Sequence, residues 1–85
     1  MDKVFTVSLK VPGKTLFEGE AVSLVVPAYT GRMGILANHA PLAAELLPGE
    51  INVRTKNQPF IFHSSGKGFM HVIKNRASII LEDKT

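Results

Sequence analysis

The 85-residue chain contains no cysteine. That excludes a disulfide framework, a thiolate nucleophile and any cysteine-based zinc site, and it fits a reducing compartment. There is no tryptophan and only one tyrosine among 7% aromatic residues. This is a thin supply for the base stacking by which small β-barrels hold single-stranded nucleic acid. No run approaches the ~20 apolar residues that span a bilayer, and the apolar stretch from Leu36 to Ala44 is interrupted by Asn38, His39 and Pro41. The start, Met1-Asp2-Lys3, leads straight into an alternating segment with no secretory signal pattern, so a cytosolic or matrix-side location is expected.

What is present is enough for one folded unit. Hydrophobic residues make up 45% and charged residues 20%, which argues against disorder. At this size roughly 63% of the chain's surface is buried on folding, so a single domain over residues 1–85 is expected. Ten basic and seven acidic residues give a net charge of +3. They are interspersed, so the charge suits nucleic acid, an anionic surface or an acidic partner and selects none of them.

Two-residue periodicity dominates. Phe5, Val7, Leu9 and Val11 alternate with polar residues, and Pro12-Gly13-Lys14 marks a tight turn. From Thr15 to Val26 the apolar phase shifts between Phe17 and the Val22, Leu24, Val26 set, which predicts a bulge at Gly19. Pro27 to Met33 reads as an exposed loop, and Asn38 to Leu47 as a poor helix around Leu42–Leu46. Four short strands follow: Ile51 to Arg54, Phe60 to His63, Phe69 to Ile73 and Ala77 to Leu81. A hairpin centred on Lys67 would set Ile61 beside Ile73 and His63 beside His71. The fold class expected is all-β, a flattened antiparallel β-sandwich or barrel of about ten short strands.

Chemistry is sparse. Three histidines, His39, His63 and His71, offer imidazoles, but no carboxylate adjoins His63 or His71 to support a metal ligand. Glu18 and Glu20 share a strand face about 7 Å apart, a spacing compatible with paired acid–base carboxylates and equally with a solvated face. No nucleophile elbow is present. Ser64-Ser65-Gly66-Lys67-Gly68 resembles part of a phosphate loop but lacks its first glycine, the hydroxyl after the lysine and the following helix. The residues alone indicate a non-catalytic binding module without cofactor or metal. The rival is a small basic barrel for single strands, in which Tyr29 and several cations would converge on one face.

Three segments narrow this. Phe17-Glu18-Gly19-Glu20, then Pro27 with Gly31-Arg32-Met33-Gly34-Ile35-Leu36-Ala37-Asn38-His39-Ala40-Pro41-Leu42, then Leu47-Pro48-Gly49 occur in that order. Together with Gly68-Phe69-Met70-His71-Val72 and Asn75 to Asp83, they resemble the N-terminal domain of the epsilon subunit of F-type ATP synthases, called delta in mitochondria. The resemblance spans essentially the whole chain. It implies a flattened β-sandwich at the foot of the central stalk, a non-catalytic rotor part that couples ion-driven rotation of the c-ring to the gamma subunit and catalytic head. Partners implied are gamma and the polar loops of the c-ring, not nucleic acid. Membrane association would be peripheral, through the complex, on the cytoplasmic face of a bacterial plasma membrane.

Carried over on the matching motif, Tyr29, Thr30, Gly31, Arg32 and Met33 correspond to the ring-facing loop. Asn38, His39, Ala40, Pro41 and Leu42 correspond to a segment near gamma at the same end. Pro41 and Leu42 also suit a plug for the end of the sandwich, and His39 suits a buried histidine bonded to local backbone. The chain departs from the family where Arg32 replaces a frequent acidic residue, Lys67 a frequent glycine and His71 a frequent glutamate. Many bacterial relatives add a C-terminal helical hairpin that inhibits hydrolysis and in some binds ATP. This sequence stops at Thr85, and coupling without that inhibition or nucleotide binding is the expectation.

Overall fold

Alternation in the first segment does what it predicts. In a computed structural model, which describes residues 3–82, strand β1 (Phe5–Val11) turns Phe5, Val7, Leu9 and Val11 into the core. The Met1-Asp2 start and the Asp83–Thr85 end lie outside the described residues. Strands β2 (Lys14–Ala21), β3 (Ser23–Ala28), β4 (Gly31–Ile35), β5 (Leu42–Leu46), β6 (Gly49–Arg54), β7 (Pro59–Ser64), β8 (Gly68–Ile73) and β9 (Arg76–Leu81) follow, and the described residues form no helix. Nine strands stand where about ten were expected. They join in one curled sheet of order β2-β1-β9-β8-β5-β3-β6-β7, with β4 beside β3. All pairs are antiparallel except β1 with β9, which run parallel.

The curl lets the two arms bury their inner faces together. Leu9, Leu24, Ile35, Leu46, Ile51, Met70 and Ile79 are all within 1% of full burial. The end strands β2 and β7 approach through aromatic rings: Phe17 lies 5.3 Å from Phe60 and 6.2 Å from Phe62, tilted and edge-on.

Several local expectations change. The β1–β2 register slips between Leu9 and Lys10, so the extra residue is Leu16, whereas Gly19 sits in regular register opposite Val7. The later phase change comes from a bend at Val22, whose amide donates to the Arg54 carbonyl (2.7 Å) and starts a new strand. Most of the supposed loop Pro27–Met33 is strand: the β3–β4 ladder runs to Ala28 and Gly31, leaving only Tyr29-Thr30 as a tight turn. Pro27 does not break it. Its carbonyl accepts from Leu47 (2.8 Å), and since N–H and C=O of one residue point to the same side, the missing donor faces away from β4.

Leu42–Leu46 is a strand, not a helix. Leu-Ala-Ala-Glu-Leu is rich in helix formers, but five residues are too few to nucleate a helix, and pairing with β8 puts Leu42, Ala44 and Leu46 inward at a period of two. The hairpin centred on Lys67 does not form. β7 pairs with β6, and β8 with β5 and β9, so Ile61 faces Asn52, His63 faces Glu50, and His71 faces Ala43 and Ser78. The chain crosses between the two arms at residues 65–67, because β8 instead closes onto β9 through Lys74-Asn75, both at positive φ (48° and 63°).

Candidate interaction site

The motif residues Tyr29 to Met33 form the tip and outgoing strand of the β3–β4 hairpin. Tyr29 is 70% exposed, yet its backbone is held, because its amide donates to the Glu45 carbonyl at 3.0 Å. Gly31 closes the turn at φ 128°, a conformation that side chains resist. Met33 packs against the core. Arg32 is turned back from the tip, its Nη1 donating to the Glu50 carbonyl at 3.0 Å across β3. Tyr29, Thr30 and Met33 line one wall of an open groove of about 310 Å³, and Ala43, Ala44 and Glu45 line the other.

The second motif segment, Asn38 to Leu42, links β4 to β5. Asn38 has φ 64° and its amide donates to Asn75 Oδ1 at 2.6 Å, while Asn75 Nδ2 donates to the Val4 carbonyl at 2.9 Å. One asparagine in the β8–β9 turn thus fastens both this link and the entry to β1. His39 Nδ1–H donates to the Ala40 carbonyl at 2.8 Å, so the local backbone bond forms, but the residue is half-buried rather than buried. Leu42 packs against the core and Pro41 is exposed. The two segments are not at one end. Tyr29 is tied to Glu45, opposite Phe69, and Asn38 is tied to Asn75, beyond Ile73. They occupy opposite ends of the β5–β8 ladder, about 17 Å apart by strand rise.

Sequence reasoning missed a third surface. Phe69 is 57% exposed and pairs across the ladder with Ile80, which is 60% exposed. Phe69, His71 and Ile73 share one outer face of β8, with Met70 and Val72 facing inward. The signal was in the alternation, since Phe69 is in phase with His71 rather than with Met70. Large apolar side chains left paired and exposed on a rigid sheet mark a contact surface.

The chemistry-bearing candidates are dispersed. Glu18 is held by Arg76 (Nη2 to Oε2, 3.0 Å) rather than paired with Glu20. A hydrogen bond from the Ser8 hydroxyl, then that Arg76 bond, keeps its carboxyl below the usual carboxylate range. Among the described residues no group of three His, Cys, Asp or Glu side chains comes together to hold a metal. The tip that carries Tyr29 lies against Glu45 and not among cations. What the geometry offers is a stiff body with a fixed aromatic tip, an apolar outer face and a fastened link between strands.

Known proteins show the same body. Residues 4–84 match the family model described as ATP synthase, Delta/Epsilon chain, beta-sandwich domain. The ATP synthase epsilon chain of Dichelobacter nodosus is 39% identical over 85 residues, covering 99% of this chain and 58% of its own length. That of Chlorobaculum tepidum is 32% identical over 82 residues, covering 96% of this chain and 93% of its own. The chain therefore spans little more than half of the first relative and nearly all of the second. A chain in the cryo-EM structure of Euglena gracilis mitochondrial ATP synthase (OSCP/F1/c-ring, rotational state 1) superposes with a TM-score of 0.87 at 20% identity, over 94% of this chain and 51% of that one. A chain of the Tetrahymena thermophila mitochondrial ATP synthase central stalk and c-ring gives 0.76 at 20% identity, over 92% and 63%. Identity that low speaks to the fold, whereas the sequence match over residues 4–84 decides the family. The chain belongs to the β-sandwich domain family of ATP synthase delta and epsilon chains.

Proposed function

We propose that the chain is a non-catalytic part of the ATP synthase central stalk, coupling ion-driven rotation of the c-ring to the gamma subunit and the catalytic head. The observation that carries this is the family match over residues 4–84, and the solved chains of the same fold come from assemblies described as OSCP/F1/c-ring and as central stalk and c-ring. A coupling part needs two contact surfaces on a body that resists shear, and a cross-laddered sheet around a close-packed core is such a body. Residues Tyr29 to Met33 supply the contact to the polar loops of the ring. Arg32, bonded back to β6, leaves Tyr29 and Thr30 as the leading side chains, which removes the charge clash that a basic ring loop would otherwise meet. Asn38 to Leu42 lies toward gamma, and the Phe69–Ile80 face supplies the apolar area that a gamma contact needs. Association with the membrane, at the cytoplasmic face in a bacterium, is then peripheral and through the complex.

Size-exclusion chromatography with light scattering, on the chain mixed with gamma from the same source, tests this. A co-eluting one-to-one complex is expected. Its absence at micromolar concentrations, with gamma shown to be folded, overturns the reading.

A further inference from the structure

At the start of β3, about 17 Å along the strand from the Tyr29 turn, lies an open notch of about 330 Å³ lined by Val22, Ser23, Arg54, Thr55 and Lys56. Arg54 pairs in register with Ser23 across β3 and β6, and its carbonyl is fixed by the Val22 amide at 2.7 Å. Lys56 stands on a braced turn. Thr55 Oγ1 donates to the Gln58 carbonyl (2.8 Å) and accepts from the amides of Asn57 (3.2 Å) and Gln58 (3.1 Å). Among the described residues neither Arg54 nor Lys56 makes an ion pair, the only bridge being Arg76 to Glu18. Ser23 is half-buried and lines the same notch. Glu20, the nearest carboxylate along the chain, lies on β2 opposite Thr6.

Residues carrying a guanidinium, an ammonium and a hydroxyl line one concavity, and these are the donor types that hold a tetrahedral oxyanion. We infer that this notch binds a phosphate group, with Arg54 as the forked donor, Lys56 as the point charge and Ser23 as the hydroxyl donor. The phosphate belongs either to a small soluble molecule or to a phospholipid headgroup. The site is independent of the coupling role, and its failure would leave that role untouched.

Amide NMR spectra of the full chain, titrated with sodium phosphate against sodium chloride at matched ionic strength, test the inference. Saturable shifts confined to Val22, Ser23, Arg54, Thr55 and Lys56 are expected. The double variant Arg54→Gln, Lys56→Gln, its fold verified by unchanged dispersion elsewhere, should weaken binding at least tenfold. Lys74→Gln, which removes a charge outside the notch, should leave binding unchanged. Sedimentation with phosphatidylglycerol vesicles forms the second arm. Arg54-dependent co-sedimentation assigns a headgroup, and phosphate binding without it assigns a soluble source. Equal shifts with chloride, an equal loss in Lys74→Gln, or binding in neither arm overturns the inference.

Discussion

Glu18 accepts hydrogen bonds from Ser8 on the neighbouring strand and from Arg76 on β9, and both favour its ionised form. Because its folded-state pKa lies below the ordinary value of 4.5, it contributes stability that is fully present above that value and is lost as pH falls through the folded one. Denaturant midpoints measured from pH 6 to pH 2 should therefore fall more steeply for the parent than for Glu18→Gln, with the two curves converging in acid. Tyr29 offers a complementary single-residue test. At 70% exposure it supports nothing in the core. Tyr29→Ala should leave the urea midpoint unchanged while weakening association with an assembled ring and stalk by about tenfold, a modest hot-spot effect. Equal binding by the variant would remove this side chain from the contact.

Elements carry more of the specificity than their propensities suggest. The alternation of β1 and the turn at Pro12-Gly13 were legible in the sequence, because a period of two and a positive-φ glycine are local signals. The identity of Leu42–Leu46 was not, since its strand state exists only through its pairing with β8 and β3. The bulge was misplaced because the extra residue, Leu16, is apolar and no glycine advertises it. Two substitutions test what holds these elements together. At Gly68 a Cβ would stand 2.6 Å from the Ile80 carbonyl and 2.8 Å from a Leu81 methyl, so backbone would have to move. Gly68→Ala should cost about 1–3 kcal/mol in urea unfolding, the usual penalty of overpacking. Asn75→Gly keeps the positive φ but deletes the bonds to Asn38 and Val4. Amide exchange at Asn38 should then accelerate, at a cost of about 1–3 kcal/mol for the partners left unsatisfied.

At the scale of the whole molecule, the fold class and the family motif were both readable, and the arrangement of surfaces was not. The stretch from Gly31 to Leu42 reads as one continuous motif, but the curl of the sheet sends its two halves to opposite ends of the β5–β8 ladder. The His63–His71 pairing failed for the same reason, because adjacent strands in sequence here lie in different arms. Long-range geometry of this kind depends on which edges close, and that is decided by pairings far apart along the chain.

The parallel pairing of β1 with β9 has a consequence for biosynthesis. β1, made before the other eight strands of the sheet, occupies the interior of its arm between β2 and β9. Its second edge stays open until residues 76–81 have emerged. The emerging chain can form the β1–β2 hairpin but cannot complete the sheet, so folding is a late event that follows synthesis of nearly the whole domain. It should be slow for so small a domain, because the decisive contacts join its first strand to its last.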